Sequence, residues 1–155
     1  MVLTKLKSIA SVNVVILCCI ILTACATAPI QEMSDARQSL QAAHDAGADK
    51  YARTSLLNAE QALQQAEMNL EQHAFKDARI SALRAKTQAM DAQEIALAIS
   101  AAQDAVASAK STNNVPPAVI MLLRRAEEAA DQGDKTEAIR LANEARQEAI
   151  KLSAH

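Results

Sequence analysis

The residues of this chain that could do covalent or metal chemistry are few and scattered. Three cysteines, Cys18, Cys19 and Cys25, crowd the N-terminal part, and three histidines, His44, His73 and His155, fall on separate segments. A thiolate is a nucleophile and a soft metal ligand, and imidazole titrates near neutrality, so these six side chains bound the reactive repertoire. His44 followed by Asp45 supplies at most half of a metal site. Neither a thiolate nor a His-x-x-x-His spacing accompanies it, so it reads as a solvated helical histidine. His73 reads as a turn residue and His155 as a terminus. The sequence contains no GxSxG elbow, no glycine-rich phosphate loop and no HExxH pair. The acid clusters Glu127-Glu128 and Asp131–Asp134 read as solvated charges supporting a helix. The expectation is a protein with no catalytic residues, no metal site and no cofactor.

Cys25 differs from the other two cysteines in its surroundings. Lys5 and Lys7 precede an apolar run from about Ile9 to Leu22, which ends in small residues. That is the layout of a secretory signal: a positive start, an apolar middle and a small-residue cleavage site. The apolar run would be roughly 21 Å long as a helix, short of the ~30 Å hydrocarbon core, which argues against a retained membrane span. Cys18 and Cys19 lie in the segment to be removed, so Cys25 would be the one cysteine of the mature chain, unable to form an intramolecular disulfide.

Leu22-Thr23-Ala24-Cys25 resembles the lipobox of bacterial lipoproteins. The resemblance implies cleavage before Cys25, diacylglyceryl transfer to its thiol and acylation of the freed α-amine. One acyl chain holds a protein marginally, whereas two or three hold it durably. The next residue is Ala26 rather than the aspartate that retains Gram-negative lipoproteins at the inner membrane. By that resemblance the destination is the periplasmic leaflet of the outer membrane.

Loss of the signal would remove Lys5 and Lys7 and take the net charge from −2 to about −4. A mildly acidic body lacks the basic footprint of a nucleic-acid binder. Aromatic residues make up 1% of the chain, Tyr51 and Phe75 alone, which leaves almost nothing for stacking on bases or sugars. Beyond the signal there are two glycines, Gly47 and Gly133, in a composition dominated by alanine and other strong helix formers. The fold class expected is all-α: elongated antiparallel helical hairpins, coiled-coil-like, alanine-rich and stacked as in tetratricopeptide repeats.

The elements follow from periodicity and breakers. After a tether at 25–30, Met33, Ala36, Leu40 and Ala43 mark a first helix from about Gln31 to Ala46, broken at Gly47. Leu56, Ala59, Leu63, Ala66 and Leu70 mark a second from about Ala52 to Gln72, averaging 3.5 residues per step. A turn at "EQHAFKDA" places His73 where glycine would be more comfortable. A third helix, from about Phe75 to Ala109 and roughly 52 Å long, carries Ala78, Ala82, Ala85, Ala89, Ala92, Ala96, Ile99, Gln103 and Val106 as a seam. Leu83, Met90 and Leu97 are expected to cover its margin, and Gln88 and Asp91 to face outward. "STNNVPPAV" is a linker, and Pro117 opens a fourth helix to about Gln132. In "DQGDKTEA", Gly133 suits a left-handed C′ position, Asp134 an N-cap and Glu137 the returning half of a capping box. A fifth helix, from Lys135 to about Leu152, carries Ala138, Ala142, Ala145, Ala149 and Leu152 on one face.

An offset of sixty residues superposes Leu63, Ala66, Glu67, Gln72, Ala78, Ala82, Ala85 and Ala89 on Leu123, Ala126, Glu127, Gln132, Ala138, Ala142, Ala145 and Ala149. The organisation expected is therefore a signal at 1–24, the tether, a helical domain with a long hairpin at 31–112, a linker at 113–116 and a C-terminal hairpin at 117–155.

The run from Ser34 to Ala92 is similar to an uncharacterised domain family of Gram-negative envelope lipoproteins. Ala36-Arg37, Ala46-Gly47-Ala48, Tyr51-Ala52 and the alanine ladder from Ala59 to Ala92 carry the resemblance, over about 60 residues. It implies an envelope setting without implying a reaction. The function expected is a lipid-anchored, non-enzymatic structural or adaptor protein. Its partners would be the membrane and an envelope protein or a second copy, with no nucleic acid. Met33, Met68, Met90 and Met121 are the residues a partner helix could meet. The alternative is a binding module for a lipidic or cell-wall ligand, which would need an enclosed apolar pocket.

Overall fold

The computed structural model describes residues 27–112 and 115–153; the signal segment, Cys25 and His155 lie outside them. Every element among the described residues is an α-helix: α1 (Ile30–Asp45), α2 (Ala48–Tyr51), α3 (Arg53–Glu71), α4 (Phe75–Thr112), α5 (Pro117–Asp131) and α6 (Lys135–Ser153). None is long and apolar enough to cross a membrane.

Helix starts and stops follow local chemistry. Pro29 precedes α1 and its carbonyl accepts the first helical bond, from Met33 N–H at 3.0 Å. Gly47, at φ 81°, ends that helix. After that break comes the single turn α2, which the sequence reading does not include, and Ala52, at φ −147°, offsets it from α3. Pro117 occupies the first turn of α5, where its missing N–H costs nothing.

α4 is the spine. Its 38 residues make a helix about 57 Å long. α3 folds back antiparallel along its first half, and α1 lies beside both. Arg79 pairs with Glu32 at 2.7 Å and Lys86 with Asp35 at 2.8 Å, so α1 runs parallel to α4. Arg37 pairs with Glu67 at 2.8 Å and His44 Nε2 lies 3.4 Å from Glu60, so α1 runs antiparallel to α3. Along the second half of α4 the C-terminal hairpin takes over. Lys135 at the start of α6 meets Asp91 and Glu94, while Ala149 near its end packs with Val106 and Ala109. The two hairpins thus dock on one shared helix, and a single cluster of buried residues draws on all six elements.

The alanines of the seam are what brings the helices together. Ala78, Ala82, Ala85, Ala89, Ala92, Ala96 and Ala102 are fully buried, as are Ala138, Ala142, Ala145 and Ala149 on α6. With only a methyl group between backbones, helices approach near the low end of the usual ~8–10 Å spacing. Ile95, Ile99 and Leu141 are the largest fully buried side chains beside Pro29. In α1, Met33, Ala36, Leu40 and Ala43 form the buried face, as their spacing predicts. In α3, Leu56, Ala59 and Ala66 are buried, whereas Leu63 and Leu70 sit half-buried at its margin. One expectation fails: Leu83, Met90 and Leu97 do not cover the seam, because α1, α3 and α6 already do. They stand on the outer face of α4.

The sixty-residue repeat is physical. At the first turn, His73 N–H donates to Leu70 O at 3.0 Å and Ala74 N–H to Asn69 O at 2.9 Å. At the second, Gly133 N–H donates to Ala130 O at 3.0 Å and Asp134 N–H to Ala129 O at 2.9 Å. These are the same Schellman-type bonds at positions sixty apart. His73 adopts φ 58° and Gly133 φ 77°, so a histidine occupies a backbone region that favours glycine. Asp134 Oδ1 caps α6 by accepting from Glu137 N–H at 3.0 Å. The reciprocal half of the capping box does not form, because Asp134 N–H is already satisfied and Glu137 turns outward to Arg140 at 2.7 Å.

His73→Gly should therefore stabilise the fold by about 0.5–1 kcal/mol, the left-handed strain outweighing the extra chain entropy of glycine. Gly133→Ala should destabilise it by about 1 kcal/mol through its left-handed φ of 77° alone, since the added methyl would meet Thr54 Cγ2 at 3.5 Å, an ordinary contact. Urea unfolding of the two variants checks both signs, and like signs would contradict the shared-turn account.

Candidate functional site

The two hairpins meet at a polar cleft in mid-molecule, built around the chain's one tyrosine. α2 projects Tyr51 toward α4, where its hydroxyl donates to Gln103 Oε1 at 2.9 Å. Gln103 Nε2 in turn donates to Glu127 Oε1 of α5 at 2.7 Å. Lys50 Nζ donates to the Tyr51 hydroxyl at 2.9 Å and lies 4.7 Å from the ring centroid. That hydrogen bond, then the electrostatic interaction with Tyr51 and last the charge of Glu127, raises the Lys50 pKa above its usual value. Thr54 Oγ1 donates to the Asp131 carbonyl at 2.8 Å, tying the start of α3 to the end of α5. Lys50, Tyr51, Gln103, Glu127 and Asp131 line a cavity of about 280 Å³.

This chain of hydrogen bonds links three elements, α2, α4 and α5. Its ionisable members, Lys50, Tyr51 and Glu127, are engaged with one another or with Gln103, so the relay ties the elements together. Its lining suits a small polar molecule or water better than an acyl chain. Sequence reasoning placed Gln103 on the apolar seam and Glu127 on a solvated face. Both are corrected here: each is half-buried and turned into the junction. Tyr51, one of two aromatics in the chain, was the available signal.

His44 does not pair with Asp45. Its Nδ1 lies 2.9 Å from Asp49 Oδ2 and its Nε2 3.4 Å from Glu60 Oε1, so it bridges α1, α2 and α3. The Asp49 hydrogen bond raises its pKa above 6.5 against the opposing cost of desolvation, and the charges of Asp49, Glu60 and Asp45 add to the rise. Among the described residues no group of three or more His, Cys, Asp or Glu could hold a metal. His73 stacks edge-on against Phe75 with ring centroids 5.8 Å apart.

Two further side chains depart from expectation. Asp91 accepts from Lys135 Nζ at 2.6 Å, and Gln88 has its Oε1 buried, so neither faces outward freely. Of the methionines expected to meet a partner helix, Met33 is in the core, while Met68, Met90 and Met121 are exposed. At the N-terminal pole the backbone carbonyl of Thr27 accepts from Arg79 Nη2 at 3.2 Å, and Arg79 Nε donates to Glu32 at 2.7 Å. The Glu32 carboxyl sits below its usual range, first through its backbone hydrogen bond and then through Arg79. Cys25, the sequence-derived lipidation residue, lies two positions before Thr27, outside the described residues.

Tyr51→Phe should cost about 1 kcal/mol of stability, the worth of an ordinary hydrogen bond. Adding Gln103→Met should cost less than the sum of the two single changes. Strict additivity in urea unfolding would show the network to be incidental. For His44 the sign is fixed by its raised pKa: the stabilisation is complete below the unfolded value and disappears as pH rises through the folded one. His44→Gln should lower Tm by roughly 1–3 °C near pH 5 and by almost nothing near pH 9, measured by circular dichroism.

Comparison with protein-family models, with curated proteins and with solved structures returns no match.

Proposed function

We propose that the chain is an outer-membrane lipoprotein, anchored through acylated Cys25, whose helical rod faces the periplasm and acts as a non-enzymatic structural or adaptor protein. The observation that carries this reading is the seating of the N-terminal pole. Thr27 is bonded to Arg79 at the base of α4, and Pro29 is buried. An anchor two residues earlier would therefore hold the rod by one end with almost no slack. A residue of extended chain spans at most ~3.6 Å. From Arg79 to Thr112 the spine runs about 50 Å, so such an anchor would carry the far pole well clear of the lipid headgroups.

The polar relay at the hairpin junction ties α2, α4 and α5 together, and that bracing supports the structural or adaptor reading. A module for a lipidic ligand is supported less, because the junction cavity is lined by Lys50, Glu127 and Asp131 among others.

The anchoring half is tested with Cys25→Ser. The expected outcome is an unprocessed chain about 2–3 kDa heavier (from the retained signal segment at ~110 Da per residue), and no incorporation of radiolabelled palmitate. Unchanged processing and unchanged membrane partition would overturn the placement.

A further inference from the structure

The outer face of α4 carries a pattern that the internal packing does not use. Ile80, Leu83, Met90 and Leu97 are 48%, 47%, 44% and 53% exposed, on a helix whose opposite face is fully buried. Leu83, Met90 and Leu97 recur every seven residues, and extending that step in both directions reaches Lys76 and Asp104. Both are exposed and neither has an ion-pair partner among the described residues. The row Lys76, Leu83, Met90, Leu97, Asp104 is therefore palindromic about Met90, with an apolar centre, leucines either side and opposite charges at the ends.

The positions between these residues leave the row accessible. Thr87 turns its hydroxyl back onto the Leu83 carbonyl at 3.0 Å. Glu94 is drawn aside by Lys135 at 2.7 Å. Beside Met90, Gln38, Ser39, Ala42, Lys86 and Gln93 line an open groove of about 390 Å³ between α1 and α4. That is room for a second unbranched, adaptable methionine.

We propose that this face of α4 pairs with the same face of a second copy of the chain, antiparallel, about a two-fold axis at Met90. In that register Leu83 meets Leu97 twice, Met90 meets Met90, and Lys76 meets Asp104 at both ends. A closed two-fold pairing of one patch with itself is the commonest way soluble chains dimerise. The parallel alternative would set Lys76 against Lys76 and Asp104 against Asp104, and the two helix dipoles side by side in the same sense. Charge complementarity thus selects both the occupant and its direction. The pairing stands on α4 alone and does not require anchoring at Cys25. The alanine seam, by contrast, is closed to a second copy because α1, α3 and α6 fill it.

The test uses the full-length chain with a photoreactive benzophenone amino acid at Leu83, cross-linked in the cells that make it. The adduct expected is a dimer with the Leu83 peptide joined to the Leu97 region. Within one helix those positions are about 21 Å apart, so the cross-link can arise only between copies. Adducts to residues near Leu83 itself, to another protein, to lipid, or none at all, each overturn the proposal. A second measurement follows dimer dissociation of the purified full-length chain in detergent by sedimentation. Lys76→Glu or Asp104→Lys alone should weaken it about fivefold, and the double exchange Lys76→Glu/Asp104→Lys should restore it. Helicity measured alongside separates this from misfolding, and a double variant no better than either single overturns the antiparallel register.

Discussion

The rest of the structure depends on how closely α4 lets other helices approach. An alanine methyl at every third or fourth position leaves the helix backbone nearly bare along one side, and α3, α1 and α6 each settle against part of it. Burying a methyl-sized group contributes about 0.8 kcal/mol, against ~1.5–3 kcal/mol for a leucine or isoleucine. The alanines therefore confer proximity more than cohesion. Cohesion falls on Ile95, Ile99, Leu141, Leu56 and Met33, which are buried where the partner helices leave room. Alanine's other contribution is intrinsic, since no residue costs less to hold in a helix. A 38-residue spine with few large side chains needs that advantage along its whole length.

The sixty-residue repeat explains why one helix can serve both hairpins. Each unit is a helix, a Schellman turn and a second helix, and α4 is at once the second helix of the first unit and the platform for the next. α6 lies parallel to it, as successive second helices do in a stacked array. The copies have diverged where their surroundings differ. Ser55 and Ser81, buried on α3 and α4, correspond to Val115 and Leu141, which are buried in the second unit. Ala74 corresponds to Asp134, and only the aspartate caps its helix with a side chain. The second turn therefore has two local signals, a glycine and a cap, where the first has neither and relies on the packing of the flanking helices.

Most of this was legible because it is periodic. Five of the six helices, their boundaries within about three residues, the buried faces of α1, α4 and α6, and both turns follow from spacing and from breakers, while the single turn α2 does not. What spacing could not show is anything that depends on which helix lies next to which. Tyr51 reaches Gln103 and Gln103 reaches Glu127 across fifty-two and twenty-four positions respectively. Gln103 occupies a seam position by count, and only the arrival of α2 on one side and α5 on the other gives its amide two partners. Likewise Leu83, Met90 and Leu97 have the spacing of groove-covering residues. They end outside because α1 and α6 fill both flanks of the seam first. His44 illustrates the same limit: its neighbour in sequence is Asp45, but its partners are Asp49 and Glu60, brought in by the turn at Gly47.

The polar contacts answer a problem that the alanine seam creates. Shape repeats along the seam every seven residues, so sliding one helix past another by about 10.5 Å would again set methyl against methyl. Apolar packing alone distinguishes such registers poorly. Each exposed ion pair is worth only ~0.2–1 kcal/mol, too little to hold the fold by itself. A slip of one heptad would nonetheless break Arg37–Glu67, Arg79–Glu32, Lys86–Asp35 and the Tyr51–Gln103 bond together, and would strand half-buried polar atoms at the junction. Leaving those atoms unsatisfied costs more than making the bonds returns, roughly 1–3 kcal/mol for each. Register is thus set by the penalty for being misaligned rather than by the strength of any contact. That is why the side chains of the long-range polar relay are gathered at Gln103 in the second half of the spine, where α2 and α5 meet it and the two hairpins must agree.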